Sequence, residues 1–269
     1  MQEDLMKTST ERMIVKKDGP IGWMQFNNPA RHNAVSVDMW KSVSEIMTEF
    51  ENDDQIRVVV LSGAGGKAFI SGADISEFEE KRSSRENILE YNRIAGQANA
   101  AIIDFPKPTI AMIQGYCIGG GLGVALCCDL RLATENASFA VPAAKLGLGY
   151  AYDGIKRLVD VVGPSFAKEI FYTARQFDST EALQMGLVNR VVPTVNIEAY
   201  VRDYAATIGS NAPLTINSVK LCVNEATKDP DKRDLVAAQV AVDACFASAD
   251  YVEGRTAFIA KRKPTFRGR

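Results

Sequence analysis

The chain has 269 residues, 46% of them hydrophobic and 24% charged, with 31 Lys and Arg against 33 Asp and Glu for a formal charge of -2. A chain of this make-up buries a sizeable core, is neither fibrous nor disordered, and lacks the net basic field that holds a polyanion, which argues against nucleic acid as a partner. Its single histidine, His32, excludes a metal site built on two imidazoles and leaves one position for a histidine-activated nucleophile; no metal is expected.

The N-terminal stretch MQEDLMKTSTERM is polar, and no run approaches the roughly 18 apolar residues of a membrane span, so the expected home is the cytoplasm and no membrane partner is expected. Residues 13–27 read as two strands around an Asp18-Gly19 turn. Ser36 then stands where a helix cap is expected, and Met39, Val43, Ile46, Met47 and Phe50 follow at helical spacing. IRVVVLSG from Ile56 and TIAMIQGY from Thr109 are continuous β-branched runs of the kind buried on both faces, with a long helical stretch between them. This alternation predicts a largely parallel sheet in an α/β fold. An apolar strand, three glycines (Gly119, Gly120, Gly121) and an apolar helix come next, then two short strands between Leu130 and Val141. Cys117, Cys127 and Cys128 lie in this region, with Cys222 and Cys245 later; the odd number and the absence of CxxC spacing predict reduced, buried thiols. Beyond about Pro164 the pattern is mainly helical, interrupted by the strand-like LVNRVV at Leu187 to Val192. With no Pro/Ser-rich linker, the division reads as an α/β core over 1–195 and a helical region over 196–269.

Chemistry concentrates at two glycine-bearing segments. In GYCIGGGLGVALCCDL, Gly115 to Leu130, a strand runs into a helix whose first N–H groups are free and whose dipole is positive, while glycine lets an oxygen approach the backbone. Stabilising an oxyanion is one use; tight packing of helix on sheet is the other. The loop GAGGKAF at Gly63 lacks the Lys-Ser/Thr ending of a nucleotide triphosphate site. FISGADISEF, Phe69 to Phe78, again places small residues where backbone amides are exposed.

FISGADI followed about 45 residues later by GYCIGGG resembles the crotonase (enoyl-CoA hydratase/isomerase) superfamily, and NPARHNAV, CDLRLA, TEALQMGLVNRVV and EGRTAFIAKRKPTF extend the likeness over nearly the whole chain. The resemblance implies a ββα spiral with two roughly perpendicular sheets and C-terminal helices that build a homotrimer, often a dimer of trimers. It implies an acyl-CoA substrate and no cofactor beyond coenzyme A as part of that thioester. The thioester carbonyl would lie between the amides of Ala73 and Gly120. Coenzyme A would lie near Gly72, Ala73, Asp74 and Ile75, with Arg31 and Lys67 as additional phosphate contacts and a neighbouring subunit lending Phe258 and Lys261.

The same resemblance exposes a departure. Hydratases of the superfamily carry two glutamates, at the positions of Gly123 and Ala143 here, and many isomerases need the second. LGLGYAYDGIKRL, KEIFYTA and the tail also resemble the methylmalonyl-CoA decarboxylases, in which a tyrosine matching Tyr150 lies in the acyl pocket, although those enzymes carry a histidine where this chain has Ala73. Asp153 lies within the stretch where a dehalogenating relative carries its nucleophile, and reads either as base or nucleophile or as the N-cap of the helix that follows. Tyr150 reads as acyl-pocket donor or packing residue, Asp129 as a structural carboxylate held by backbone amides, His32 as a surface turn residue, and Glu77 and Glu79 as solvent-facing. The expected function is thioester-enolate chemistry on an acyl-CoA. The alternatives are a methylmalonyl-CoA-type decarboxylase, an isomerase or thioester hydrolase using Asp153, and an inactive CoA-binding protein.

Overall fold

The computed structural model describes residues 4–6, 8–74 and 84–269. Strands β1 (Asp4–Leu5), β2 (Met13–Asp18) and β3 (Ile21–Phe26) pair antiparallel, the last two around the predicted turn. Helix α1 (Val37–Glu51) buries all five of its predicted apolar positions and Trp40 besides. Ser36 does precede it, but its hydroxyl goes to Asp38 and caps no backbone N–H.

Three ββα turns then follow. They are β4 (Val58–Gly63), β5 (Ala68–Ile70) and α2 (Arg85–Ile103); β6 (Thr109–Ile113), β7 (Tyr116–Ile118) and α3 (Gly120–Cys127); and β8 (Leu130–Thr134), β9 (Ser138–Ala140) and α4 (Tyr152–Thr173). A shorter fourth turn is β10 (Phe177–Asp178), α5 (Ser179–Gln184) and β11 (Arg190–Val192). In each of the three full turns the first strand joins a seven-stranded sheet ordered β1-β2-β3-β4-β6-β8-β11, and the second joins a four-stranded sheet ordered β10-β9-β7-β5. From β3 onward the large sheet is parallel, which requires the crossovers that the helices supply. This is the expected spiral.

The continuous apolar runs have the predicted cause. Val59 and Leu61 of β4 face the main core with α1 and the small sheet, whereas Val58 and Val60 face a second core on the other side. That second core is covered by Ile197, Val201 and Ala205 of α6 (Ile197–Gly209). Helix α6 lies beyond the expected division at 195/196, yet it closes one face of the large sheet. After this body come α7 (Pro213–Thr227), α8 (Leu235–Ala247) and α9 (Ala249–Ile259). Buried acids hold them: Glu225 of α7 accepts from Lys228 Nζ at 2.6 Å and from the Asp234 N–H at 2.7 Å, and Asp250 accepts the N–H groups of Arg267 and Gly268, both at 2.7 Å. Helix α8 nonetheless buries none of its own residues.

Candidate active site

The centre of the site is the junction of β7 and α3. Gly119, before the helix, has φ of 55° and ψ of -113°, a backbone that side-chain-bearing residues rarely adopt, and its N–H is held by the Ala140 carbonyl at 2.8 Å. Gly121 must lack a side chain for a different reason: a Cβ there would lie 2.1 Å from the Ile70 carbonyl oxygen, so the helix rests backbone on backbone against β5. Gly121 thus serves the packing use, while the N–H of Gly120, in the first turn, has no intrahelical partner.

Ala73 faces this helix end. Val35 bridges it in parallel, donating to the Gly72 carbonyl at 2.9 Å and accepting from the Asp74 N–H at 3.0 Å. Strand alternation turns the N–H of Ala73 the other way, and it has no recorded acceptor among the described residues. A Cβ placed on Gly120 would lie 4.0 Å from that nitrogen. Two backbone N–H groups without an acceptor among the described residues thus lie on neighbouring segments, one at a helix N-terminus, an arrangement suited to developing negative charge on one oxygen.

A model described as Enoyl-CoA hydratase/isomerase matches residues 16–269. The chain belongs to the enoyl-CoA hydratase/isomerase family. It is 34% identical to the short-chain-enoyl-CoA hydratase of Clostridium acetobutylicum, covering 93% of this chain and 95% of that protein, and 33% identical to the crotonyl-CoA hydratase of Syntrophomonas wolfei, covering 95% and 98%. Among solved structures, an enoyl-CoA hydratase/carnithine racemase from Magnetospirillum magneticum superposes with a TM-score of 0.91 at 36% identity over 97% of each chain.

Within this enoyl-CoA hydratase/isomerase family member, the loop over residues 28–35 that carries Val35 is held in place by Asn33, to which the sequence assigned no role. Asn33 is fully buried in a left-handed backbone, with φ of 57°. Its amide donates to the carbonyls of Ala64 at 2.9 Å and Ala68 at 2.7 Å, while its oxygen accepts the Asn28 N–H at 2.9 Å. The adjacent HN pair after a proline turn was the available signal; partners more than 30 residues away were not. His32 is an exposed turn residue as predicted, set edge-on to Tyr116. Arg31 and Asp74 pair with each other at 2.9 Å, the carboxylate buried and the guanidinium half in solvent. Lys67 is exposed on the loop between β4 and β5. Ile75, Glu77 and Glu79 lie outside the described residues. Phe258 is 86% exposed at the end of α9, and Lys261 is exposed just beyond it.

Where the resemblance implies glutamates, Gly123 borders open space, with no atom within 4 Å of a Cβ built on it, and Ala143 is buried in a short 3-10 turn. Tyr150 packs edge-on against Phe171 at 5.0 Å between ring centres. Partial burial pushes its hydroxyl pKa up, so it stays protonated at neutral pH. Asp153 requires a correction as a cap: α4 starts at Tyr152, Ala151 holds the N-cap position, and Asp153 is an exposed first-turn residue. Asp129 accepts one backbone N–H, from Thr109 at 2.7 Å, but its other partners are the Thr109 hydroxyl and Lys220 Nζ at 2.9 Å, which tie α7 to the sheet. The five cysteines are free, and only Cys117, Cys127 and Cys128 are fully buried.

Proposed function

We propose that the protein binds an acyl-CoA with its thioester carbonyl on the amides of Ala73 and Gly120 and reacts through the thioester enolate, without the two carboxylates that hydratases use. The converging free N–H groups carry this reading, because an enolate oxygen needs donors already aimed at it. Gly123 and Ala143 transfer no protons, so conventional addition of water is not the reaction.

Loss of CO2 from the α-carbon of the acyl group fits what remains. The C–C bonding pair becomes the enolate, the oxyanion donors hold it, and one proton then quenches the carbon. No base is needed, and Tyr150, kept protonated, is the donor at hand. Asp153 as base or nucleophile is the competing reading, supported by its exposure at the start of α4. A panel of acyl-CoA esters assayed by mass spectrometry decides between them. The expected result is CO2 release from a malonyl-type thioester, reduced about a hundredfold or more in Tyr150→Phe, whereas loss of all turnover in Asp153→Asn with Tyr150→Phe active would favour the aspartate. Binding without turnover across the panel would leave a CoA-binding protein.

We further propose that α8 and α9 assemble a homotrimer. Leu235, Val236, Val240 and Phe246 stand exposed on a helix that buries none of its residues, and exposed apolar side chains gathered on one element mark an interaction surface. Val240→Glu is expected to shift the mass measured by light scattering from a trimer or dimer of trimers toward the monomer, because each interface would then bury an unpaired carboxylate. Assembly also gives Phe258 and Lys261 a role, reaching coenzyme A in a neighbouring subunit.

A further inference from the structure

Ala73 lies past the end of β5 and in no strand of either sheet, so a sheet ladder does not fix its N–H. Residues 71–74 hang instead on the loop over 28–35. The Ser71 N–H donates to the His32 carbonyl at 3.1 Å and the Ser71 hydroxyl to the Arg31 carbonyl at 3.2 Å. The Val35 bridge and the ion pair of Arg31 with Asp74 complete the attachment. Where Ala73 sits is therefore decided by where that loop sits.

The loop has little of its own to hold it. Beyond the single 3-10 turn Pro29–Arg31, His32 and Asn33 take left-handed backbones in succession, with φ of 50° and 57°, which residues with side chains seldom adopt unless something outside holds them. Asn33 is that hold. Its two N–H donors are both spent on fixed framework, one on the carbonyl of Ala64, the first residue after β4, and one on the carbonyl of Ala68, the first residue of β5. Gly63 leaves the room for this, since a Cβ there would lie 2.7 Å from Asn33 Nδ2. The side chain is fully buried, so water cannot replace either bond.

Both oxyanion donors are thereby referred to one strand. Gly120 is carried by α3, whose Gly121 rests on the β5 carbonyl of Ile70, and Ala73 is carried by a loop clipped to the β5 carbonyl of Ala68. We infer that Asn33 is a positioning residue: it touches no substrate, but sets the Ala73 N–H at the place where it and the Gly120 N–H meet one oxygen. This rests on the thioester reading above.

Asn33→Gly tests the role with the backbone spared, because glycine takes a left-handed φ without steric cost. The probe is hexanoyl-CoA isotopically labelled at the thioester carbonyl carbon, whose infrared band falls in frequency as hydrogen bonds to that oxygen strengthen. Bound to the wild-type protein, the band is expected to lie below its position in the free ester. Asn33→Gly is expected to bind the ester, to lose most of that shift, and to lower kcat on the ester turned over by about tenfold to a hundredfold with a smaller change in KM. Met47→Ala, a cavity at the far end of α1, is expected to lower thermal stability and leave the band in place, which separates positioning from general loosening. Retention of the full shift in a folded Asn33→Gly protein would overturn the role of Asn33 and leave the thioester reading standing. A wild-type band no lower than that of the free ester would overturn the thioester reading itself. Hydrogen exchange on the wild-type protein needs no variant: the Val35 and Asp74 amides are expected to exchange as slowly as those of β4, and exchange at the rate of an exposed turn would overturn the anchoring.

Discussion

Gly120→Pro is expected to lower turnover on whichever acyl-CoA proves to be the substrate by about a hundredfold to a thousandfold, with a smaller change in KM. Proline is accepted in the first turn of a helix, where its missing N–H has no intrahelical partner, so α3 keeps its start. What it deletes is one of the two donors at the oxyanion position. The charge on the enolate oxygen develops in the transition state, which is why kcat rather than binding bears the loss. An unchanged circular dichroism spectrum would confirm that the helix survives. Full activity in a folded Gly120→Pro protein would remove the oxyanion assignment, since no other residue supplies that N–H.

The second large effect is expected in hydration. Crotonyl-CoA should be hydrated poorly, although the two curated relatives described above, at 34% and 33% identity, are named as hydratases of short-chain substrates. General acid and base catalysis contributes about a hundredfold to ten-thousandfold for each well-placed group, and here both positions lack a proton-transferring side chain. The double substitution Gly123→Glu with Ala143→Glu is expected to raise hydration by about a hundredfold or more. The first site has room for the side chain, because a Cβ at Gly123 meets nothing within 4 Å. The second is buried, and the desolvation that penalises a carboxylate there also raises its pKa toward that of a working acid. A wild-type rate close to that of a two-glutamate hydratase would show that another group moves the protons.

Local patterns were the legible part of this molecule. The β-branched runs of β4 and β6 announced strands buried on both faces, and the spacing of Met39, Val43, Ile46, Met47 and Phe50 announced the buried face of α1. The glycine junction announced its own chemistry because strand, glycines and helix are contiguous. What stayed hidden depended on contacts far apart in the chain. Helix α6 looks like any other amphipathic helix of the C-terminal third, and only the fold shows that it closes the large sheet. Asn33 reads as a turn residue until its amide is seen reaching the carbonyls at Ala64 and Ala68. The start of α4 was read late because LGLGY looks like loop and Asp153 looks like a cap, whereas the helix begins before that aspartate without a side-chain cap. That Arg157 meets a thiol 30 residues away required coordinates.

The contact of Gly121 with the Ile70 carbonyl has a consequence for how this protein changes its chemistry. Because the tightest contact of α3 with β5 is made by main-chain atoms, the position of the Gly120 backbone beside Ala73 depends on no ionisable group. On the proposed reading, the electrostatic half of the catalyst is therefore part of the framework. On the same reading, proton handling falls to positions 123, 143, 150 and 153, none of which takes part in that contact. At Gly123, where an added Cβ meets nothing within 4 Å, a substitution would, on the proposed reading, change the reagents and leave the scaffold in place.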